Sequence, residues 1–237
     1  MAENLSSQKF KLLAWLVHFY TSLGLITGLF ALLAIVDHNA NLAFLWLGLA
    51  LIIDATDGTL ARKFKVSFWT PGFDGRKLDD ITDYLNYAFI PVFFLWRFEL
   101  VSGLWVFILP LVLLSAVYGF CQTSAKTDDG YFTGFPNFWN LVVLYLYIFN
   151  WHQIVNAFIL VILAILVFVP MKFVSFSTPG KVKIVKGLSL VYFTMLVMIV
   201  IYKSQVIAMI SLIFPLLYFG YAIVRRGNAE SLIVSSE

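Results

Sequence analysis

Residues 42–62 read Leu42-Ala-Phe-Leu-Trp-Leu-Gly-Leu-Ala-Leu-Ile-Ile-Asp54-Ala-Thr-Asp57-Gly58-Thr-Leu-Ala61-Arg62. From Leu42 to Ile53 the run is apolar, and with its polar end it is long enough to cross a bilayer. A hydrocarbon core of about 30 Å needs about 20 helical residues, each rising about 1.5 Å. The end of this span carries two carboxylates, however. On insertion scales an aspartate at mid-bilayer costs about 2.5–3.5 kcal/mol, and less near the interface. A second acidic stretch, Gly75-Arg-Lys-Leu-Asp79-Asp-Ile-Thr-Asp83, opens the next apolar run. Two membrane helices with acids at their adjoining ends are the simplest reading.

Working outward, the rest of the chain agrees. Of its 237 residues 61% are hydrophobic and 12% charged, with 24 Phe, 11 Tyr and 7 Trp. Soluble domains carry about 45–50% apolar and about 25% charged residues. That contrast excludes a disordered chain, a disulfide scaffold and an ordinary soluble enzyme. The lone Cys121 forms no intramolecular disulfide, and a net charge of +3 is too small to suggest nucleic acid. Apolar runs predict spans over 17–36, 42–61, 78–96, 101–121, 138–150, 153–170, 187–202 and 205–224, with six or seven as the alternative count. The fifth is short and merges with the sixth if the two form a re-entrant pair. Backbone in lipid must pair internally, so the expected fold is all-α, a polytopic integral membrane helical bundle of about eight transmembrane helices. Residues 7–17 are expected to start as an N-terminal interfacial helix. The same start imitates a cleavable signal peptide, but His18, Tyr20, Thr21 and Ser22 interrupt its apolar run. With no repeat or linker, residues 1–237 form one integral membrane domain.

Fourteen of the 16 Lys and Arg residues fall on one side of an eight-span arrangement, leaving only Arg97 and Lys203 opposite. Cations collect on the cytoplasmic side. Both termini and the acidic stretches are therefore expected to face the cytoplasm.

Helical spacing groups the acids. Asp54, Asp57, Gly58 and Ala61 stand at i, i+3, i+4 and i+7, and Asp79 and Asp83 at i and i+4, so each set shares one helix face. A tight loop makes the two helices neighbours, and four carboxylates then converge on one cavity. Their repulsion calls for a cation. Oxygen ligands in this number suit Mg²⁺, Mn²⁺ or Ca²⁺, and two bridged divalent ions are suited to displacement at phosphorus. Gly58 and Ala61 remove bulk so that a phosphorylated group can approach, and Arg62 is spaced to grip a phosphate. Asp74 and Asp80 miss both faces and read as loop acids.

These residues resemble the signature of the CDP-alcohol phosphotransferase family, D-x-x-D-G-x-x-A-R followed by G-x-x-x-D-x-x-x-D. All eight fixed positions are present: Asp54, Asp57, Gly58, Ala61, Arg62, Gly75, Asp79 and Asp83. The spacer, Lys63 to Asp74, is twelve residues where eight is usual. That spacer, the number of spans and two further stretches, residues 14–24 and 130–140, are similar to the bacterial branch of the family that forms phosphatidylcholine. The resemblance runs over roughly residues 10–140 and implies transfer of a phosphatidyl group from CDP-diacylglycerol to an alcohol, releasing CMP. It implies that Asp54, Asp57, Asp79 and Asp83 hold two Mn²⁺ or Mg²⁺ ions, that Asp83 is also the general base, and that Gly58, Ala61, Arg62 and Gly75 contact the CDP part. It implies a homodimer in a bacterial inner membrane.

The resemblance to that branch implies choline as the acceptor, and the inward candidates beyond the motif, aromatic and amide rather than cationic, favour a cationic, non-phosphorylated one. Serine, glycerol phosphate and inositol phosphate are the alternative acceptors. A quaternary ammonium is read by ring faces. Continuing the Asp79–Asp83 face by one turn gives Asn86 and Tyr87, with Tyr118 as the opposing ring, and a Tyr87→Phe change would be nearly silent if the ring face alone binds. His18, Thr21 and Ser22 form a polar stripe that either lines the cavity or joins helices. Asn137 and Asn140, flanking Trp139, read as capping and interfacial residues. A divalent-cation channel or transporter is the reading of a different class, and it predicts acids in corresponding halves of the chain. All four key acids instead lie within residues 54–83.

Overall fold

A computed structural model describes residues 2–122, 131–169, 172–174, 182–218 and 220. The described chain is helical apart from one short β ladder, and it divides into two compact units, residues 1–98 and 99–237. Among the described residues three helices are long and apolar enough to cross a membrane: Ser7–Val36, Ala40–Lys63 and Gly103–Cys121. Shorter apolar helices cover Trp139–Phe149, Gln153–Phe168, Gly187–Tyr202 and Gln205–Tyr218. The polytopic helical membrane fold read from the apolar runs is what the chain adopts.

In the first unit, α1 runs unbroken over Ala2–Val36, so the expected interfacial segment is the start of the first span rather than a separate helix. His38 takes a left-handed turn (φ 55°), and Asn39 caps α2 (Ala40–Lys63) by accepting from the Leu42 amide at 3.1 Å. Arg97, one of the two cations on the sparse side, donates to the Val36 carbonyl at 3.0 Å, satisfying an end of α1 that the helix itself leaves open. After Lys65 (φ 50°) comes the single turn α3 (Val66–Trp69), and Asp74 caps α4 (Gly75–Tyr84) by accepting from Lys77 N at 3.0 Å. Asp74 is thus a helix cap, consistent with its reading as a loop acid.

The third helical run is not uniform. Between α4 and α5 (Ile90–Arg97) lies a wide π-helical turn, Leu85–Phe89, in which Ile90 N–H donates to the Leu85 carbonyl. Pro91 gives the reason. It has no amide to offer the carbonyls above it, and its ring crowds the carbonyl of residue i−4, so the turn that precedes it opens. Against this run α1 presents Gly24 and Gly28. A Cβ at Gly24 would stand 2.4 Å from the Thr82 methyl, and one at Gly28 would stand 2.8 Å from Asn86 Oδ1. Small residues four apart are how membrane helices approach closely in the absence of a hydrophobic drive.

The second unit contains α6 (Ile108–Cys121), which follows a short 3₁₀ turn, Gly103–Phe107, and then α7 (Trp139–Phe149), α8 (Gln153–Leu166), α9 (Val182–Tyr202) and α10 (Gln205–Ser211). Strand β1 (Tyr131–Thr133) pairs antiparallel with β2 (Lys172–Val174). With its 11 residues α7 is about 16 Å long, half of a hydrocarbon core. A left-handed Asn150 (φ 49°) turns it directly into α8. Buried polar groups join the helices: the Asn156 amide donates to the Leu100 carbonyl at 2.9 Å, and Tyr145 and Ser211 share a 2.7 Å hydroxyl bond. Residue 170 and the segment 221–224, which end the sixth and eighth expected spans, lie outside the described residues.

Candidate functional site

All four motif aspartates line one narrow cleft inside the first unit. Asp54 and Asp57 come from α2 and Asp79 and Asp83 from α4; Thr21 and Gly24 of α1, Ala50 and Ile53 of α2, and Thr82, Asn86 and Tyr87 complete the walls. One carboxylate oxygen each from Asp54, Asp57 and Asp79 lies within 4.8 Å of the other two. Asp57 is only 5% exposed. Three like charges this close in a partly desolvated cleft repel strongly unless a cation is among them. The donors are all carboxylate oxygens, which fits a hard divalent ion, and the set could hold one. Asp80 stands outside the cleft lining.

The other motif positions divide in two. Arg62 is exposed at the end of α2, its Nη2 donating to Thr59 Oγ1 at 3.2 Å. Gly58 lies one turn before it, and the Arg62 guanidinium, 3.5 Å away, is all that a Cβ there would meet. These two border open space. Ala61 instead packs against the cluster of Ala14, Val17 and Val66, and Gly75 is covered by His18. A Cβ at Gly75 would fall 2.7 Å from His18 Cε1 and 3.1 Å from Nδ1. The smallness of both residues has a packing explanation inside the fold.

His18 therefore belongs to the architecture rather than to the cleft wall. It is 5% exposed, and its Nε2 lies 2.9 Å from Thr70 Oγ1. The Thr70 oxygen also lies 2.9 Å from the Val66 carbonyl, so one hydroxyl links the imidazole to the turn α3. The imidazole completes a three-ring cluster with Phe73, at 4.5 Å between ring centroids, and Trp15, at 5.5 Å, which also meet each other at 5.2 Å. The twelve-residue spacer, which is long for the motif, folds as one helical turn and closes around this ring. Thr21 lines the cleft, whereas Ser22 donates back to the His18 carbonyl within α1.

Asn86 and Tyr87, expected on the Asp79–Asp83 face, both line the cleft, but each is already engaged. Asn86 Nδ2 donates to the Gly24 carbonyl at 2.9 Å and to the Thr82 carbonyl at 3.0 Å, tying the third run to α1. Tyr87 is 4% exposed, and its hydroxyl donates to Asp54 Oδ2 at 2.7 Å. The hydroxyl therefore has a task of its own, and the expectation of a nearly silent Tyr87→Phe change does not follow from this geometry. Tyr118 belongs to the second unit, where its ring packs on Phe168 at 4.7 Å. Asn137, in the same unit, donates to the Ala116 carbonyl at 3.2 Å and accepts from Trp139 Nε1, and Asn140 accepts from Leu141 N. Asn137 thus ties the entrance of α7 to α6, and Asn140 serves its own local backbone.

Sequence reasoning did not single out Thr70, Phe73 or Pro91. Thr70 and Phe73 hold no helical register, and only folding around His18 reveals them. Pro91 was legible as a break in a span, and the wide turn above it is its consequence.

No family model matches the chain. Curated relatives do. It is 46% identical over 173 residues, 73% of each chain, to a protein of Borreliella burgdorferi named phosphatidylcholine synthase. Proteins of the same name from Pseudomonas aeruginosa and Rhizobium meliloti are 44% identical over 161 residues (68% of each chain) and 33% identical over 179 residues (75% of this chain, 73% of that one).

Proposed function

The chain belongs to the phosphatidylcholine synthase family, and from that premise we propose that it condenses CDP-diacylglycerol with choline to give phosphatidylcholine and CMP. The observation that carries the reading is the convergence of four aspartates from two helices on one cleft, in the spacing of the CDP-alcohol phosphotransferases. We assign the chain to that wider family on the same eight residues.

Asp54, Asp57 and Asp79, with Asp83 beside them, are the residues that would hold Mn²⁺ or Mg²⁺, two ions in the family scheme. A divalent cation bound there supplies positive charge against the donor diphosphate and the departing CMP. Asp83 accepts the proton of the choline hydroxyl. The alcohol oxygen then bonds to the phosphorus that carries the diacylglycerol, and that phosphorus releases its bond to the oxygen of CMP. Arg62 and Gly58, which border open space, are assigned to the CDP part; Ala61 and Gly75 keep the helices close enough for the acids to meet. Transfer by positioning and electrostatics asks little else of the protein. The Tyr87 ring, which lines the cleft beside Asp83, is the surface we assign to the trimethylammonium group. The asymmetry of Lys and Arg supports an inner-membrane orientation with the cleft toward the cytoplasm.

The test is product identification with the purified full chain in lipid nanodiscs, given CDP-diacylglycerol, Mn²⁺ or Mg²⁺, and choline, serine, glycerol phosphate or inositol phosphate in turn. Phosphatidylcholine and CMP should form with choline alone and disappear with chelator or in Asp57→Ala. Product from a different acceptor moves the chain to another member of the same chemistry. Cation conductance without CMP release refutes the enzyme.

A further inference from the structure

The chemistry above uses four carboxylates, Arg62 with Gly58 and one ring face, and gives the Tyr87 hydroxyl no part. Tyr87 is buried, and its hydroxyl joins two helices, reaching from the third helical run to Asp54 Oδ2 on α2 at 2.7 Å. A phenol donating to an ionised carboxylate makes a charge-assisted bond, roughly twice as strong as a neutral one. Tyr87 sits in the wide turn Leu85–Phe89, and single π turns of this kind are found frequently at functional sites. Asn86, its neighbour in that turn, is tied to the carbonyls of Gly24 and Thr82, so the backbone from which the phenol projects is itself anchored. A rigid donor on a fixed backbone removes the freedom of the Asp54 carboxylate to turn about its own axis.

We infer that Tyr87 is a positioning residue: its hydroxyl orients Asp54 so that this carboxylate meets those of Asp57 and Asp79, and the π turn above Pro91 is what brings the hydroxyl within reach. The inference rests on the metal reading given under Proposed function. Ligands that coordinate metals are commonly held by such outer hydrogen bonds, whose loss lowers metal affinity or activity by about 10- to 100-fold. The ring and the hydroxyl thus serve different partners, the ring facing the acceptor and the hydroxyl holding a ligand.

The experiment measures Mn²⁺ binding directly, by the loss of the free-ion electron paramagnetic resonance signal, on the purified full chain without either substrate. Tyr87→Phe, Asp57→Ala, Asp54→Asn and the double variant Tyr87→Phe/Asp54→Asn are compared, each checked for an unchanged melting profile. Tyr87→Phe should weaken Mn²⁺ binding by about tenfold or more, raise the Mn²⁺ requirement of turnover in parallel, and leave the choline KM unchanged. In the Asp54→Asn background the same change should do nothing further, because the carboxylate it orients is gone. Wild-type Mn²⁺ affinity in Tyr87→Phe, while Asp57→Ala loses it, overturns the positioning role alone. An undiminished effect of Tyr87→Phe on top of Asp54→Asn overturns it too, since the hydroxyl then acts elsewhere. If neither Tyr87→Phe nor Asp57→Ala changes Mn²⁺ binding, the metal reading fails and takes this role with it.

Discussion

Gly75→Ala sets two explanations of one motif glycine against each other. The family resemblance gives Gly75 to the CDP part of the donor; the fold gives it to His18. Its new Cβ would stand 2.7 Å from His18 Cε1, roughly 0.8 Å inside the about 3.5 Å at which carbon atoms rest in contact. The ring cannot simply retreat. Its Nε2 is bonded to Thr70 at 2.9 Å, Phe73 and Trp15 pack against it, and the histidine is buried. Overpacking of this kind costs about 1–3 kcal/mol, a roughly 5- to 150-fold change in the unfolding equilibrium. In a His18→Ala background the space is open, and the extra methyl should be neutral or favourable by up to about 1 kcal/mol, since Ala is the better helix former. We predict a double-mutant coupling of about 1–3 kcal/mol in the sense that the second change rescues the first. The assay is reversible unfolding by sodium dodecyl sulfate in mixed micelles on the wild type, both single variants and the double, with donor KM measured alongside. An equal cost of Gly75→Ala in both backgrounds, together with an equal rise in donor KM, would refute the packing argument and return Gly75 to the donor.

Three further outcomes can be checked together. Asp54→Ala, Asp57→Ala, Asp79→Ala and Asp83→Ala should each lower turnover at least about 10²-fold, whereas Asp83→Asn should keep CDP-diacylglycerol binding while losing transfer; single-turnover rates and donor affinity together decide this, and an equal loss of both makes Asp83 chiefly a ligand. Asp74→Ala should cost about 1 kcal/mol of stability through the lost cap while turnover stays within a few-fold of wild type, and a large loss of turnover at full stability would contradict that role. Gly24→Ala should destabilise because its Cβ meets the Thr82 methyl at 2.4 Å, and Thr82→Ser, which deletes that methyl and keeps the hydroxyl bond to the Leu78 carbonyl, should restore much of the loss; a Gly24→Ala variant indifferent to Thr82→Ser would show that the helices do not meet there.

The acidic cleft was legible because spacing on a helix is a local property. Asp54 and Asp57 share a face wherever α2 goes, and so do Asp79 and Asp83 on α4. Their meeting required only that a short connection make the helices neighbours. What spacing could not supply was the third helix: α1 contributes no acid to the cleft, yet its glycines receive Thr82 and Asn86 and its His18 receives the spacer. Whether His18 lined a cavity or joined helices depended on a partner 52 positions away, Thr70, with no periodic signal of its own. The Tyr87 hydroxyl was missed for a different reason. Counting one α-turn below Asp83 found the residue, but a count of turns gives the direction of a ring and says nothing of what its far end touches. In the second unit, apolar runs located the helices, while the three-residue strands β1 and β2 fall between them without alternation to announce them.

The glycines of α1 have a metrological consequence. A hard cation such as Mg²⁺ accepts oxygen only within about a tenth of an ångström of 2.0–2.1 Å. The acids that would reach it ride on helices α2 and α4, and α1 lies against both. Where α1 bears hydrogen at Gly24, a single methyl would take up space already filled by Thr82, one residue before Asp83. The first span therefore acts as a gauge block: its bare backbone sets a thickness, and that thickness limits how finely the gap between the two acidic faces can be held. A helix without one charged side chain in the cleft would fix the tolerance of everything the cleft could grip.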